Sequence, residues 1–263
     1  MKKSYFTRIA VIFIFIVLLS PNLLLSNDNP FKWKIGEELT YKVKWSFIRL
    51  GTLKLQLCDS LVVDSTFVYH VRLYIDSNPL LFFVNMHNVY NSYLDENFQL
   101  HLFYAEEKID NVTYKAEYRL DYSDSLIHIN MTDIEDTAKT IKKSVPFQET
   151  VLDGTSLIYY ARKNAISTKT DTVIAFFESE QGEVAINFKG KEGRIKISAL
   201  DSPVESYFVD GRLNTIGIAG VTGPFKGWFA VDEQRPPLKV ELKVFIGSVK
   251  VELEEWKGWE PKY

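Results

Sequence analysis

Apolar and polar residues alternate with a period of two along nearly the whole chain beyond its N-terminal segment, and a pattern of that period suits only extended strands that bury one face. Leu39, Tyr41, Val43 and Trp45 alternate with Glu38, Thr40, Lys42 and Lys44. Leu53, Leu55 and Leu57 alternate with Lys54 and Gln56. The pattern returns at Phe67-Tyr69-Val71-Leu73-Ile75, Phe98-Leu100-Leu102-Tyr104 and Val112-Tyr114-Ala116-Tyr118-Leu120. It recurs at Val184-Ile186-Phe188, Ile195-Ile197-Ala199, Leu238-Val240-Leu242-Val244-Ile246 and Val249-Val251-Leu253. About a dozen strands at such spacing predict a mainly β fold: a single curved antiparallel sheet, half-barrel or barrel. Hydrophobic residues make up 46% of the chain, which is enough to bury a core and excludes wholesale disorder.

One segment breaks the rhythm. From Asp153 to Asn164 the order is Asp-Gly-Thr-Ser, an apolar stretch, then Arg162 and Lys163, which suits a short capped helix whose basic end complements its dipole. Leu157, Tyr160 and Ala161 share one face at helical spacing. A lone amphipathic helix in a chain of strands is expected to close the curved sheet. Between Asp121 and Thr150 the alternation fades, and this stretch reads as a long excursion at one rim. No linker rich in Pro, Gly or Ser divides the chain, so residues 27–263 are expected to form one β-rich domain.

The N-terminal segment reads differently. Lys2, Lys3 and Arg8 precede the apolar run Ile9 to Leu19, then Ser20-Pro21-Asn22 and Leu23 to Ser26, the organisation of a secretory signal. Residues 1–26 are therefore expected to be a signal peptide; an uncleaved anchor is the alternative, against which Pro21 and Asn22 cut the run short of a full span. Cleavage would remove three positive charges and change the net charge from -3 to -6. An acidic chain of this kind is expected to repel nucleic acid and anionic membrane surfaces. The single cysteine, Cys58, excludes an internal disulfide and reads as a half-buried strand residue.

Catalytic chemistry leaves no signature. His70, His87, His101 and His128 lack a second ligand at metal spacing, and His70 and His101 fall on the polar phase of their strands, where a solvated face is expected. There is no G-x-S-x-G motif, and Gly217 to Gly223 lacks the Lys-Ser/Thr ending of a phosphate loop, so it reads as a hairpin connection. Adjacent acids such as Asp232-Glu233 point apart in extended chain. The sequons at Asn111 and Asn130 are of no consequence outside a eukaryote. No cofactor and no metal are expected, and no enzyme.

Several stretches resemble the bacterial envelope family known as domain of unknown function 3108. They are Gly36-Glu37-Glu38-Leu39-Thr40-Tyr41 with Gly51-Thr52, then Leu157 to Arg162, then Phe225 to Pro237 and Ile246-Gly247-Ser248-Val249. The resemblance implies an exported protein and carries no catalytic residues. Gly51 is expected to close a hairpin, and Asp232 to Pro237 to form a polar turn joining two strands at a sheet edge. Tyr160, Arg162, Trp228 and Arg235 are the candidate groove or bracing residues, with Asp153 or Asp232 the expected partners of the two arginines. Aromatic residues at 14% fill either a solid core or the walls of an apolar groove. The first predicts an envelope structural module that meets a protein or glycan; the second, a periplasmic protein that binds a lipid or acyl chain.

Overall fold

The computed structural model describes residues 30–81, 85–109, 112–147, 150–177, 180–217, 220–244 and 247–263. The expected signal over residues 1–26 lies outside these, as do Asn111 of one sequon, part of the Gly217 to Gly223 loop and Ile246. Phe31–Tyr263 form one unit.

Alternation becomes strands wherever the apolar phase finds a common interior. The first half supplies β1 (Glu38–Trp45), β2 (Ile48–Val63), β3 (Thr66–Ser77), β4 (His87–Leu94), β5 (Leu100–Ile109), β6 (Val112–Asp121), β7 (Leu126–Asp133) and β8 (Thr140–Pro146), with a 3₁₀ turn at Thr137–Lys139 before β8. A two-residue β9 (Val151–Leu152) leads into the only α-helix among the described residues, α1 (Gly154–Asn164). The chain continues through β10 (Thr168–Phe177), β11 (Glu180–Ile195), β12 (Val204–Leu213), β13 (Gly223–Ala230), β14 (Pro237–Lys243) and β15 (Ser248–Lys257).

All fifteen strands belong to one sheet, ordered β8-β7-β6-β5-β4-β3-β2-β1-β15-β14-β13-β12-β11-β10-β9. Nearly every neighbour is the next strand in sequence. The exception is β1 against β15, which joins the first and last strands along Glu38↔Lys257 to Trp45↔Val249. Register shifts at Thr40/Tyr41, Val43/Lys44, Leu57/Asp59 and Phe188/Lys191 are bulges that strengthen twist and bend the sheet round on itself.

Among the described residues the circle is not closed by a ladder. β8 and β9 are the two ends of the sheet, and β9 pairs only with β10, in parallel. Side chains bridge the seam instead. Gln181 Nε2 donates to the Pro146 carbonyl at 2.8 Å, Gln99 Nε2 donates to Thr150 Oγ1 at 3.2 Å, and the Tyr118 and Phe176 rings meet edge to face at 5.3 Å. Phe147 lies buried beside the seam, against Tyr122.

Four features depart from the sequence expectations. Asp121 to Thr150 is no rim excursion, because β7 and most of β8 run within the sheet; β7 buries Ile127 and Ile129, but β8 is an edge strand with little buried, so its alternation carries no apolar signal. Gly51 does not close the β1–β2 hairpin, whose turn is Ser46-Phe47 with Ser46 at φ 55°. It sits inside β2, where a Cβ would lie 2.2 Å from the Asp76 carbonyl oxygen, so glycine is required by close backbone approach. The Asp232 to Pro237 turn does join β13 to β14, but both are interior strands, and Pro237 opens β14 at a position that needs no N–H in the ladder. His70 is on the outward phase yet buried, stacked on Tyr93 and bonded to Asn91 Oδ1 at 2.9 Å.

Replacing Gly51 by valine should force β2 and β3 apart at Asp76 and destabilise the protein by about 3 kcal/mol. Urea unfolding of G51V with an unchanged midpoint would contradict that packing.

Candidate functional site

Helix α1 forms the floor of the site. Asp153 caps it with a capping box: its Oδ1 accepts from Ser156 N at 2.6 Å, and Ser156 Oγ accepts from Asp153 N at 2.6 Å. Asp153 also accepts from the Ser92 hydroxyl on β4. Burial pushes the Asp153 carboxyl up from its ordinary value even though Ser92 and Ser156 bond to it.

At the far end of α1, Arg162 is 1% exposed and faces Glu37, itself 2% exposed. The pair is bidentate: Nη1 donates to Oε2 at 2.7 Å and Nη2 to Oε1 at 2.8 Å. Nε and Nη2 also donate to the Gln234 carbonyl at 3.0 and 2.7 Å, and the guanidinium lies over the Tyr159 ring at 4.7 Å. Burial opposes the Arg162 charge, but Glu37 outweighs it and raises the pKa. Trp33, from the strand-free lead, stacks on Tyr69 at 4.1 Å and on Phe98 and Tyr159 at 5.0 Å. The helix, this aromatic layer and the Gln234 turn thus seal one end of the curled sheet.

Above the floor lies an apolar cavity of about 470 Å³. Leu157, Ile158 and Ala161 of α1 form its base. Its walls come from opposite sides of the sheet, with Leu55 and Leu73 on β2 and β3 facing Ile186, Val209 and Phe229 on β11 to β13. It runs to the turns at the other end, where Leu50, Leu81, Met86, Val221, Leu242 and Val249 line it. Few polar residues border it: Thr52, Asp76 and Ser77 near that mouth, and Tyr41 near the floor. Burial pushes the Tyr41 and Tyr159 phenols up, so neither ionises near neutral pH. Among the described residues there is no group of three His, Cys, Asp or Glu placed to hold a metal ion. The arrangement can hold an apolar body and offers little with which to activate one.

The structure places the four residues singled out from the sequence in different surroundings. Arg162 braces Glu37, a partner that sequence reasoning missed; Asp153 and Asp232 serve other bonds. Arg235, 1% exposed at φ 48°, lies beside Arg162, Tyr207 and Asp232, and burial lowers its pKa. Asp232 accepts from the Gln234 and Arg235 backbone N–H groups and from Trp259 Nε1, each at 2.7 Å. Tyr160 packs against Phe188, donates to Asp171 at 2.6 Å and is not among the residues that line the cavity. Trp228 sits on the outward phase of β13, between Phe208 and Lys239, and does not line the cavity. Cys58 is half-buried, and burial raises its thiol pKa. The lining of β2 and β3 was legible as the inward phase of their alternation; Glu37 gave no signal, since a carboxylate before a first strand ordinarily meets solvent.

The family described as "Protein of unknown function (DUF3108)" matches residues 40–254. No curated protein matches the chain. Among solved structures, a β-barrel-like protein of domain of unknown function DUF1849 from Brucella abortus is similar at a TM-score of 0.52 and 9% identity, over 87% of this chain and 100% of that one. A candidate exported protein with a YmcC-like fold from Bacteroides fragilis aligns at 0.39 and 8% identity, over 87% and 98%. The fold is shared with the Brucella protein; identity at this level conveys nothing about ligands.

Two outcomes follow. Arg162→Ala should cost about 3–5 kcal/mol by stranding Glu37, while the double change E37L/R162M should recover much of the loss; equal unfolding midpoints for the single and double variants would contradict a coupled pair. Because its folded pKa is raised, Asp153 contributes stability that is fully present below its unfolded pKa of about 3.9 and is lost as pH rises through the folded value. Asn also caps helices, so D153N should flatten that loss, and urea midpoints across pH 4 to 8 that fall in parallel for both proteins would oppose it.

Proposed function

This chain belongs to the DUF3108 family, whose function is unknown, and from that premise we propose that it is a non-enzymatic, exported envelope protein that binds a lipid or acyl chain inside its curled sheet. The observation that carries the reading is the cavity. At about 470 Å³ it falls in the range of small-molecule sites, and a solid interior would have been filled by the many aromatic residues available. The aromatics pack instead in two groups, around Trp33, Phe98 and Tyr159 at the sealed end and around Phe103, Tyr118 and Phe176 near the seam, while Phe177, Phe225 and Phe229 stand at the cavity wall without filling it. The wall is almost free of hydrogen-bonding groups, so the matching ligand is a flexible hydrocarbon rather than a sugar or nucleotide.

Export is supported by the basic, apolar and polar order of residues 1–26, and no helix among the described residues is long and apolar enough to cross a membrane. The family model carries no catalytic assignment.

The test is uptake by the delipidated protein of a fatty acid bearing an environment-sensitive fluorophore. Saturable uptake with blue-shifted emission is expected. Ala161→Trp fills the cavity from its floor and should weaken binding about tenfold, whereas Trp228→Ala, on the outer face, should leave it unchanged. Absence of uptake by the wild-type protein, or equal loss in both variants, would overturn the proposal.

A further inference from the structure

The end of the sheet opposite α1 carries three large apolar side chains in water. Phe47, at the β1–β2 turn, is 89% exposed; Leu80, between β3 and β4, is 84% exposed; and Ile216, between β12 and β13, is 58% exposed. They come from three separate connections around the cavity mouth. Asn78 ties the Leu80 segment to the first hairpin, its N–H donating to the Leu50 carbonyl and its Nδ2 to the Arg49 carbonyl, both at 2.8 Å. Leu50 and Leu81 on one side and Val221 on another line the cavity itself, so the apolar rim is continuous with the apolar interior.

Charge is arranged beside this rim against the chain's average. Across three adjacent strands Arg49 is the register partner of Lys44, and Lys44 the partner of Lys250. Like charges directly opposite one another weaken a sheet, so the row runs against stability alone. Lys243 at the end of β14 adds a fourth cation. Glu254, bonded to Arg49 at 2.8 and 3.1 Å, Glu241, opposite Lys250, and Asp76 at the mouth offset part of it, so that four cations face three carboxylates. Net charge had predicted repulsion from anionic membranes; the placement of these residues reverses that locally.

We propose that the mouth of the sheet docks on the surface of a phospholipid bilayer bearing anionic headgroups. Projecting side chains on separate turns can enter the interface between headgroups and acyl chains, and cations behind them meet the phosphates. A ligand could then pass between bilayer and cavity without crossing water. The docking residues are separate from the cavity floor, so this inference extends the carrier reading, and the two can fail independently.

The test labels the full chain, in a Cys58→Ala background, with an environment-sensitive fluorophore at Phe47→Cys or at Val62→Cys. Val62 is 65% exposed on the β2–β3 hairpin at the helix end, so it controls for stickiness of any exposed apolar position. With phosphatidylglycerol vesicles the label at 47 should shift to the blue and the label at 62 should not. The variant F47S/L80S/I216S should lower vesicle partition about tenfold or more, and K44E/K250E should do so at low salt but not at high salt. Both should still take up fluorescent fatty acid from solution. A label at 47 that stays in water, equal shifts at both positions, or wild-type partition by F47S/L80S/I216S would overturn docking; failed uptake with docking intact would overturn the carrier reading alone.

Discussion

A charged guanidinium sits at the sealed end of this molecule where almost no water reaches it, and the rest of the architecture depends on how that is made tolerable. Arg162 at 1% exposure needs a carboxylate in bidentate reach and acceptors for its remaining protons; Glu37 and the Gln234 carbonyl supply them. Those partners come from the lead before β1 and from the turn between β13 and β14. One side chain therefore ties the helix to both sides of the β1·β15 junction, where the first and last strands meet. With α1 held there, Leu157, Ile158 and Ala161 become the floor of the interior.

Division of labour along the sheet follows. Aromatic mass and the charged pair fill the helix end, where Trp33 stacks among Tyr69, Phe98 and Tyr159. Mostly aliphatic side chains line the remainder, with Phe177, Phe225 and Phe229 among them, and leave the space between opposite walls open. Among the described residues the sheet has no hydrogen-bonded closure, and across the seam Gln181 of β11 reaches the Pro146 carbonyl of β8 while Tyr118 of β6 meets Phe176 of β10. Such a seam needs less register precision than a ladder, and it lets the chain pass into the interior as β9 and α1.

Much of the sheet was legible because the apolar phase of β1, β2, β3, β6 and β15 turns to the interior, with Lys42, Val68 and His70 buried on the other phase as the exceptions. β4 was not. Its inward residues include Asn88, Tyr90 and Ser92, and Ser92 is polar because it meets Asp153 at the helix start. β8 was lost for the opposite reason: as an edge it buries almost nothing. The helix was legible from its cap and its basic end, and Asp153 is indeed the N-cap. Its partners were not, since Arg162 and Glu37 are 125 positions apart and only the curl of the sheet brings them together. The cavity is likewise a property of closure: the inward phase names its wall but cannot say whether the space within is filled.

Native mass spectrometry of the protein as recovered from its own cell envelope, without added ligand, tests the central claim most directly. The account predicts a population heavier than the bare chain by the mass of an acyl-containing molecule, lost on delipidation and absent from Ala161→Trp. A single species at the mass of the bare chain, under conditions that preserve bound lipid in a known carrier, would contradict it.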